Sequence, residues 1–244
     1  MNKKKLLSLA LVVIMIATIS FSSLAWFSDR DTVTNNFSIA GGENSNPDEI
    51  FSIDVMEVVD ADGDGDYDMN DATIGYDKDP HYTDTFTYEK ILPGDMLLKR
   101  PQTKNTGSYE QWVRMKVTFD NANYWVALMQ KYGYTDMLDM LYMPDGTTKL
   151  TKANTWTYAP EETYVENDQV TYVFYYNDVL EVGETAIFFG YVKIPHQFTQ
   201  QDMAPFTNGD FRMVVTGEAI QVKNLEADNA QDAFEIVEAD QPIG

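Results

Sequence analysis

The sequence predicts an all-β protein, an antiparallel sandwich or jelly roll with one or two short inserted helices, and three observations carry that expectation. Aromatic and β-branched residues recur in short alternating runs bounded by Gly, Pro, Asn and Asp, as antiparallel strands with one buried face do. Only one stretch, 123–143, changes to helix-like spacing before the chain's end. No repeat of 20 to 50 residues is present, which leaves a layered β domain as the simplest architecture.

The elements follow in order. Phe51, Ile53 and Val55 alternate with polar neighbours ahead of Val58-Val59, and the run from Thr83 to Tyr88 alternates around Phe86. Val113, Met115, Val117 and Phe119 share one face of a strand, with Arg114, Lys116 and Thr118 on the other. Later strands are expected over Val170 to Tyr176, Ala186 to Ile194 and Phe211 to Ile220. Between the third and fourth runs, Trp125, Leu128, Met129 and Tyr132, then Met137, Leu138 and Leu141, fall at helical spacing, interrupted at Gly133 and closed by the Pro144-Asp145-Gly146 turn. A Met and aromatic stripe of this kind reads as core. The end of the chain, 224–244, reads as an acidic tail in which Ala230, Ala233, Phe234 and Val237 are compatible with a short helix.

The first 25 residues set the compartment. Lys3, Lys4 and Lys5 precede an uncharged apolar run from Leu6 to Ile19, and Ser23-Leu24-Ala25 follows, which is the layout of a signal peptide cut between Ala25 and Trp26. The alternative is an uncleaved anchor, because the 22 residues from Leu6 through Phe27 carry no charge and are long enough to span a bilayer. Cleavage leaves 219 of 244 residues, enough for one large β domain. The expected organisation is a signal peptide over 1–25, an N-terminal arm over 26–49, a β domain over 50–223 and the tail over 224–244.

Cysteine is absent, which excludes a thiol nucleophile, a Cys-based zinc site and disulfide stabilisation of an exported domain. Losing the three signal lysines takes Lys and Arg from 17 to 14 against 39 Asp and Glu, a net charge of −25. Nucleic acid is therefore not an expected partner, since phosphate binding needs the opposite sign. Acidity of this degree favours solubility outside the cell and uptake of divalent cations.

Asp60 to Asp71 is the sharpest local motif. With Asp60 as position 1, acids stand at positions 1, 3, 5, 9 and 12 (Asp60, Asp62, Asp64, Asp68 and Asp71), glycine at 6 and Tyr67 at 8, as in an EF-hand or dockerin-type calcium loop. Asp66 at position 7 would supply its carbonyl. Asp71 stands where an EF-hand has a bidentate Glu, so the shorter arm is closer to the dockerin form. The bland alternative is an acidic hairpin tip. Against it, carboxylates crowded into twelve residues repel one another unless a cation neutralises them. Ca2+ is accordingly the one expected cofactor.

Enzymatic machinery is not legible. His81 and His196 are the only histidines, each follows a proline in an expected loop or strand end, and neither belongs to a His-Glu-x-x-His helix. No nucleophile elbow, phosphate-cradling loop or dinucleotide fingerprint is present. The expectation is that the chain is not an enzyme.

At the cleavage site the residues carry a resemblance. Ser23 to Gly41 resembles the signal-peptide junction of the TasA/camelysin family of Gram-positive bacteria, matching at Ala25, Phe27, Ser28, Asp29, Asn35, Phe37 and Gly41. Leu92-Pro93-Gly94-Asp95 and Asn105-Thr106-Gly107-Ser108, which bracket a strand, and Glu218-Ala219-Ile220-Gln221 near the end, are similar to further family stretches. The resemblance implies a jelly-roll-like sandwich, exported through a signal peptidase of the SipW type and assembled into biofilm matrix or cell-surface fibres by donor-strand complementation. It also implies partners: further copies of the chain, other matrix proteins, and a membrane only through an uncleaved leader. The residues allow such a donor strand on their own account. Phe27, Val33, Phe37 and Ile39 all stand at odd positions and share one face of an extended segment, although the same segment is nearly as well suited to closing its own sheet. Camelysin-like members are catalogued as metallopeptidases, but no zinc motif stands here to carry that activity. The Asp-rich insertion departs from the family pattern and leaves open a second function, a calcium-stabilised monomeric adhesion or surface-binding module.

If Asp60 to Asp71 binds calcium, a free concentration a hundred times the dissociation constant stabilises the fold by about 2.7 kcal/mol. The melting temperature should rise in millimolar calcium, and the rise should vanish in an Asp60→Ala, Asp62→Ala double variant. No thermal shift in the parent chain removes calcium from the account.

Overall fold

The computed structural model describes residues 32–33, 53–58, 91–204, 212–223 and 225–239. Their elements, in chain order, are β1 (Thr32–Val33), β2 (Ile53–Val58), β3 (Met96–Leu98), β4 (Arg100–Asn105), β5 (Gln111–Asp120), α1 (Ala122–Lys131), β6 (Leu141–Tyr142), β7 (Trp156–Glu166), β8 (Gln169–Tyr176), β9 (Thr185–Ile187), β10 (Tyr191–Lys193), β11 (Met213–Gln221) and α2 (Ala230–Ala239). Short 3-10 turns cover Met137–Met140 and Leu150–Lys152. The expected strand over Thr83 to Tyr88 lies outside the described residues.

Five strands form the first layer, in the order β1-β11-β5-β8-β7, antiparallel throughout except for the parallel pair β1–β11. The second layer is written as two three-stranded sheets, β2-β4-β9 and β3-β10-β6. They are halves of one bent surface, because β3 and β4 are separated by Lys99 alone and β9 and β10 by Phe188-Phe189-Gly190. Across that bend Lys99 N–H donates to Gly190 O at 3.1 Å and Phe188 N–H to Pro101 O at 2.9 Å, so the ladder continues through it. The described residues thus form a predominantly antiparallel β architecture of two packed layers with two helices.

β5 explains why the layers stack. Val113, Met115, Val117 and Phe119 are fully buried between the sheets, the face that period-two patterning assigns to the core. Phe174 of β8, Val215 of β11, and Ile53 and Val55 of β2 meet them in one cluster, joined by Phe188 and Phe189 from the bend. Trp156 packs edge-on to Phe188, with centroids 5.1 Å apart, and its indole N–H reaches Ile187 O at 2.8 Å. α1 drops Trp125, Leu128 and Met129 into the same cluster. Gly133, at φ 82, takes the left-handed conformation just past α1, where a side chain would be strained, and the chain then resumes as the 3-10 turn. The helical stretch is therefore one α-helix and one tight turn.

The other face of the first layer is apolar too. α2 covers it, with Ala230, Ala233, Phe234 and Val237 packing on Trp112, Val173, Tyr175 and Ile220. Those four helix positions are the i, i+3, i+4, i+7 stripe of an amphipathic helix. The end of the chain is thus part of the packed domain as far as Ala239.

Two turns named in the sequence now have physical roles. In Leu92-Pro93-Gly94-Asp95 the Asp95 carboxylate accepts from Leu92 N–H at 2.7 Å, and Gly94 N–H binds Ile194 O at 3.1 Å, which stitches the start of β3 to the end of β10. Asn105 is fully buried. Its Nδ2 donates to Tyr109 O (2.8 Å) and Leu180 O (2.9 Å) while its Oδ1 accepts from Gly107 N–H (3.0 Å), so one side chain organises two loops. Replacing it removes the acceptor of Gly107 N–H and the amide donor to Tyr109 O and Leu180 O, although Leu180 O keeps Gln111 N–H, and a buried group left unsatisfied costs about 1–3 kcal/mol. Asn105→Ala should therefore destabilise the fold by about 3 kcal/mol in urea unfolding, with an unchanged slope if the native state stays compact.

Candidate strand-acceptor edge

A sheet edge becomes a binding site when its outward backbone groups, its side-chain floor and its access are arranged for another strand. The geometry of β11 follows from its pairing with β5. Asp120 N–H donates to Arg212 O and Val222 N–H to Glu110 O, both at 3.0 Å, so even-numbered positions exchange hydrogen bonds with β5. Antiparallel alternation then turns the N–H and C=O groups of Met213, Val215, Gly217, Ala219 and Gln221 away from β5, toward the outer edge. Met213, Val215, Gly217 and Ala219 are buried and face the space between the layers.

β1 lies on this edge. Thr32 is in register with Thr216 and Val33 with Gly217, the two strands running parallel, and β1 also lies beside β2 of the second layer. Thr32 and Val33 thus lie at the seam where the layers meet. The seam is narrow at Gly217. A Cβ built there would stand 2.4 Å from Val55 Cγ2 and 3.1 Å from Met115 Sδ, so β2 packs directly against the β11 backbone. Glycine in the middle of a strand is the mark of such a close approach.

The opposite edge of the same sheet is defended. β7 carries Pro160, which has no N–H to offer, and its pairing with β8 shifts register between Ala159 and Tyr164. Glu161, Glu162 and Glu166 add like charge along it. Proline, a bulge and charge are the devices by which edge strands refuse a partner.

Behind β11, on the face covered by α2, stands a cluster of charges around Arg114. The guanidinium meets Glu218 of β11 at 2.5 Å, Glu238 of α2 at 2.7 Å and Glu162 of β7 at 3.8 Å, and lies 4.1 Å from the centre of the Phe234 ring. Lys116 takes the second oxygen of Glu218 at 2.6 Å. Tyr175 O–H donates to Glu162 at 2.7 Å. Burial by itself would weaken the hold of Arg114 on its proton. The charge of Glu218, with hydrogen bonds to Tyr175 and Glu238, outweighs it and raises the pKa well above its ordinary value.

Of the residues singled out in the sequence, Val33 is brought to the β11 edge. Phe27, Phe37 and Ile39, the cleavage pair Ala25 and Trp26, and the Asp-rich positions Asp60, Asp62, Asp64, Asp66, Asp68 and Asp71 lie outside the described residues, as does His81. Asp60 follows the last residue of β2 by two positions, so the Asp-rich segment leaves the strand that packs on Gly217. His196 is exposed after β10. Among the described residues no group of three His, Asp or Glu side chains is placed to hold a metal ion. Sequence reasoning passed over Gly217 and Arg114. The one available signal was a glycine within an otherwise β-branched run, and nothing local marks Arg114.

Comparison with protein-family models, with curated proteins and with solved structures finds no match for this chain. The functional reading rests on the geometry and on the residues of the N-terminal stretch.

The close approach at Gly217 can be tested by compensation. Gly217→Ala should destabilise the fold by about 1–3 kcal/mol, the usual range for overpacking a core. Adding Val55→Ala removes the clashing methyl, and a double-variant cycle should recover at least about 0.5 kcal/mol. Strict additivity would mean that β2 does not bear on this edge.

Proposed function

We propose that this chain is a secreted structural subunit of extracellular matrix or cell-surface fibres, in which the N-terminal strand of one copy pairs with the β11 edge of the next. The observation that supports the reading is the seating of β1 on β11, where Thr32 and Val33 pair in parallel with the edge. Parallel ladders are slightly less stable per residue than antiparallel ones. Exchange between copies replaces the pairing with itself, so the donor is easily given up and the sandwich need not rearrange.

The tether permits the exchange. Twenty steps of chain separate Val33 from Ile53, and at about 3.3–3.6 Å per residue they reach at most about 70 Å. A folded domain of this size has a radius of gyration of about 17 Å, hence a diameter of about 45 Å. The strand of one copy therefore reaches the edge of a neighbour while β2 stays in its own layer. The defended β7 edge leaves growth one direction, from N-terminal strand to β11, and a head-to-tail contact that does not close makes a filament.

In this reading the sandwich is jelly-roll-like, the chain is not an enzyme, export exposes the donor strand by cutting after Ala25, and the partner is a second copy of the chain. The resemblance of Ser23 to Gly41 to the TasA/camelysin junction supports it. Calcium bound by Asp60 to Asp71 would act through β2, the wall of the seam.

Electron microscopy and sedimentation of the exported chain over a concentration series test the proposal. Filaments are expected from the parent chain, and a folded, soluble monomer from the variant lacking Trp26 to Asn36. Filaments that survive the deletion would overturn exchange through this segment.

A further inference from the structure

Resting on the reading of β11 as a strand acceptor, we infer that the C-terminal helix α2 is a clamp on that edge, so that capture of a strand at β11 is coupled to docking of α2 through Arg114 and Glu218.

The edge needs support from behind. Gly217 stands in the middle of β11, where the approach of Val55 forbids a side chain, and a strand glycine contributes neither packing nor stiffness. The next residue, Glu218, compensates. Its two carboxylate oxygens are taken by Arg114 and Lys116 of the neighbouring β5, which ties β11 to the sheet one position from the glycine. Glu218 stands directly across from Arg114 in the ladder, and Arg114 across from Tyr175 of β8, so the clamp runs along one row of the sheet.

What fixes Arg114 is α2. Phe234 lies on the guanidinium and Glu238 binds its Nη2. The dependence also runs the other way. Ten residues are too few for a stable helix in isolation. α2 has no basic residue in its last turn and has Glu238 there, where the helix dipole disfavours an anion. Arg114 neutralises that carboxylate only when the helix is docked. Folding of α2, its docking, and the placement of Arg114 on Glu218 are therefore linked, and linkage makes the effect reciprocal: whatever loosens the helix loosens β11, and a strand bound at β11 favours the docked helix.

Hydrogen exchange on the full exported chain tests the clamp apart from assembly. Two variants undock α2 by different means: Phe234→Ala removes the ring from Arg114, and Glu238→Lys places a cation against it. In both, exchange should accelerate roughly tenfold or more across 230–239 and also across 213–221, with the rest of β5 and β8 protected, since local openings are separately measurable. Uptake of a labelled peptide spanning Trp26 to Ile39 should fall in parallel. Fast exchange in α2 with unchanged protection in β11 overturns the clamp, and so does an α2 that stays protected in both variants. If the parent chain takes up no peptide, the acceptor reading fails, while the exchange comparison still decides whether helix and edge are coupled.

Discussion

Methyl groups and a guanidinium leave β5 in opposite directions, and most of this fold follows from the need to bury both. Val113, Met115, Val117 and Phe119 call for a second sheet. Trp112 and Arg114 on the other face call for a lid that is apolar and yet brings a carboxylate, and α2 supplies Phe234 and Glu238. A guanidinium this buried is tolerable only with partners at hydrogen-bonding distance, because desolvation without pairing costs several kcal/mol. Three elements, β7, β11 and α2, each send it a glutamate. The pairing says little about net stability, but it selects one arrangement of those three elements over others.

The same sheet treats its two edges differently. At β7 the chain spends a proline, a bulge and three glutamates on keeping partners off. At β11 it lays a short strand of its own, with a glycine admitting β2 to the backbone. An edge that is covered by a tethered segment is protected in the monomer and available when the segment leaves. Strand addition needs that combination, and a sheet with both edges blunted would not provide it.

Much of the framework was legible because the alternation of β5, β8 and β11 is strong and local. A strand with one face in the core repeats every two residues, and no tertiary detail is needed to see it. The stripe Ala230, Ala233, Phe234 and Val237 was equally plain, but its destination was not: read alone, an acidic stretch at a chain end looks like a tail, and only the apolar outer face of the sheet makes it a lid. β7 was missed because Ala159-Pro160-Glu161-Glu162 interrupts its alternation, and an edge strand tolerates that interruption where a central one would not. The break between β9 and β10 was hidden for a related reason, since Phe188 and Phe189 continue an apolar run straight through the bend.

By itself the sequence determined the β class, the core face of the central strands, the helical stretches after β5 and near the chain's end, and the absence of thiol chemistry. Each of these depends on spacing along the chain or on composition. Only the tertiary structure decided that β1 runs parallel to β11, that Gly217 is empty because Val55 fills its place, and that Arg114 gathers glutamates from positions 162, 218 and 238. Those facts depend on which elements become neighbours, and the pairing of distant segments is set by how two unlike faces of one sheet are both removed from water, a condition no local pattern records.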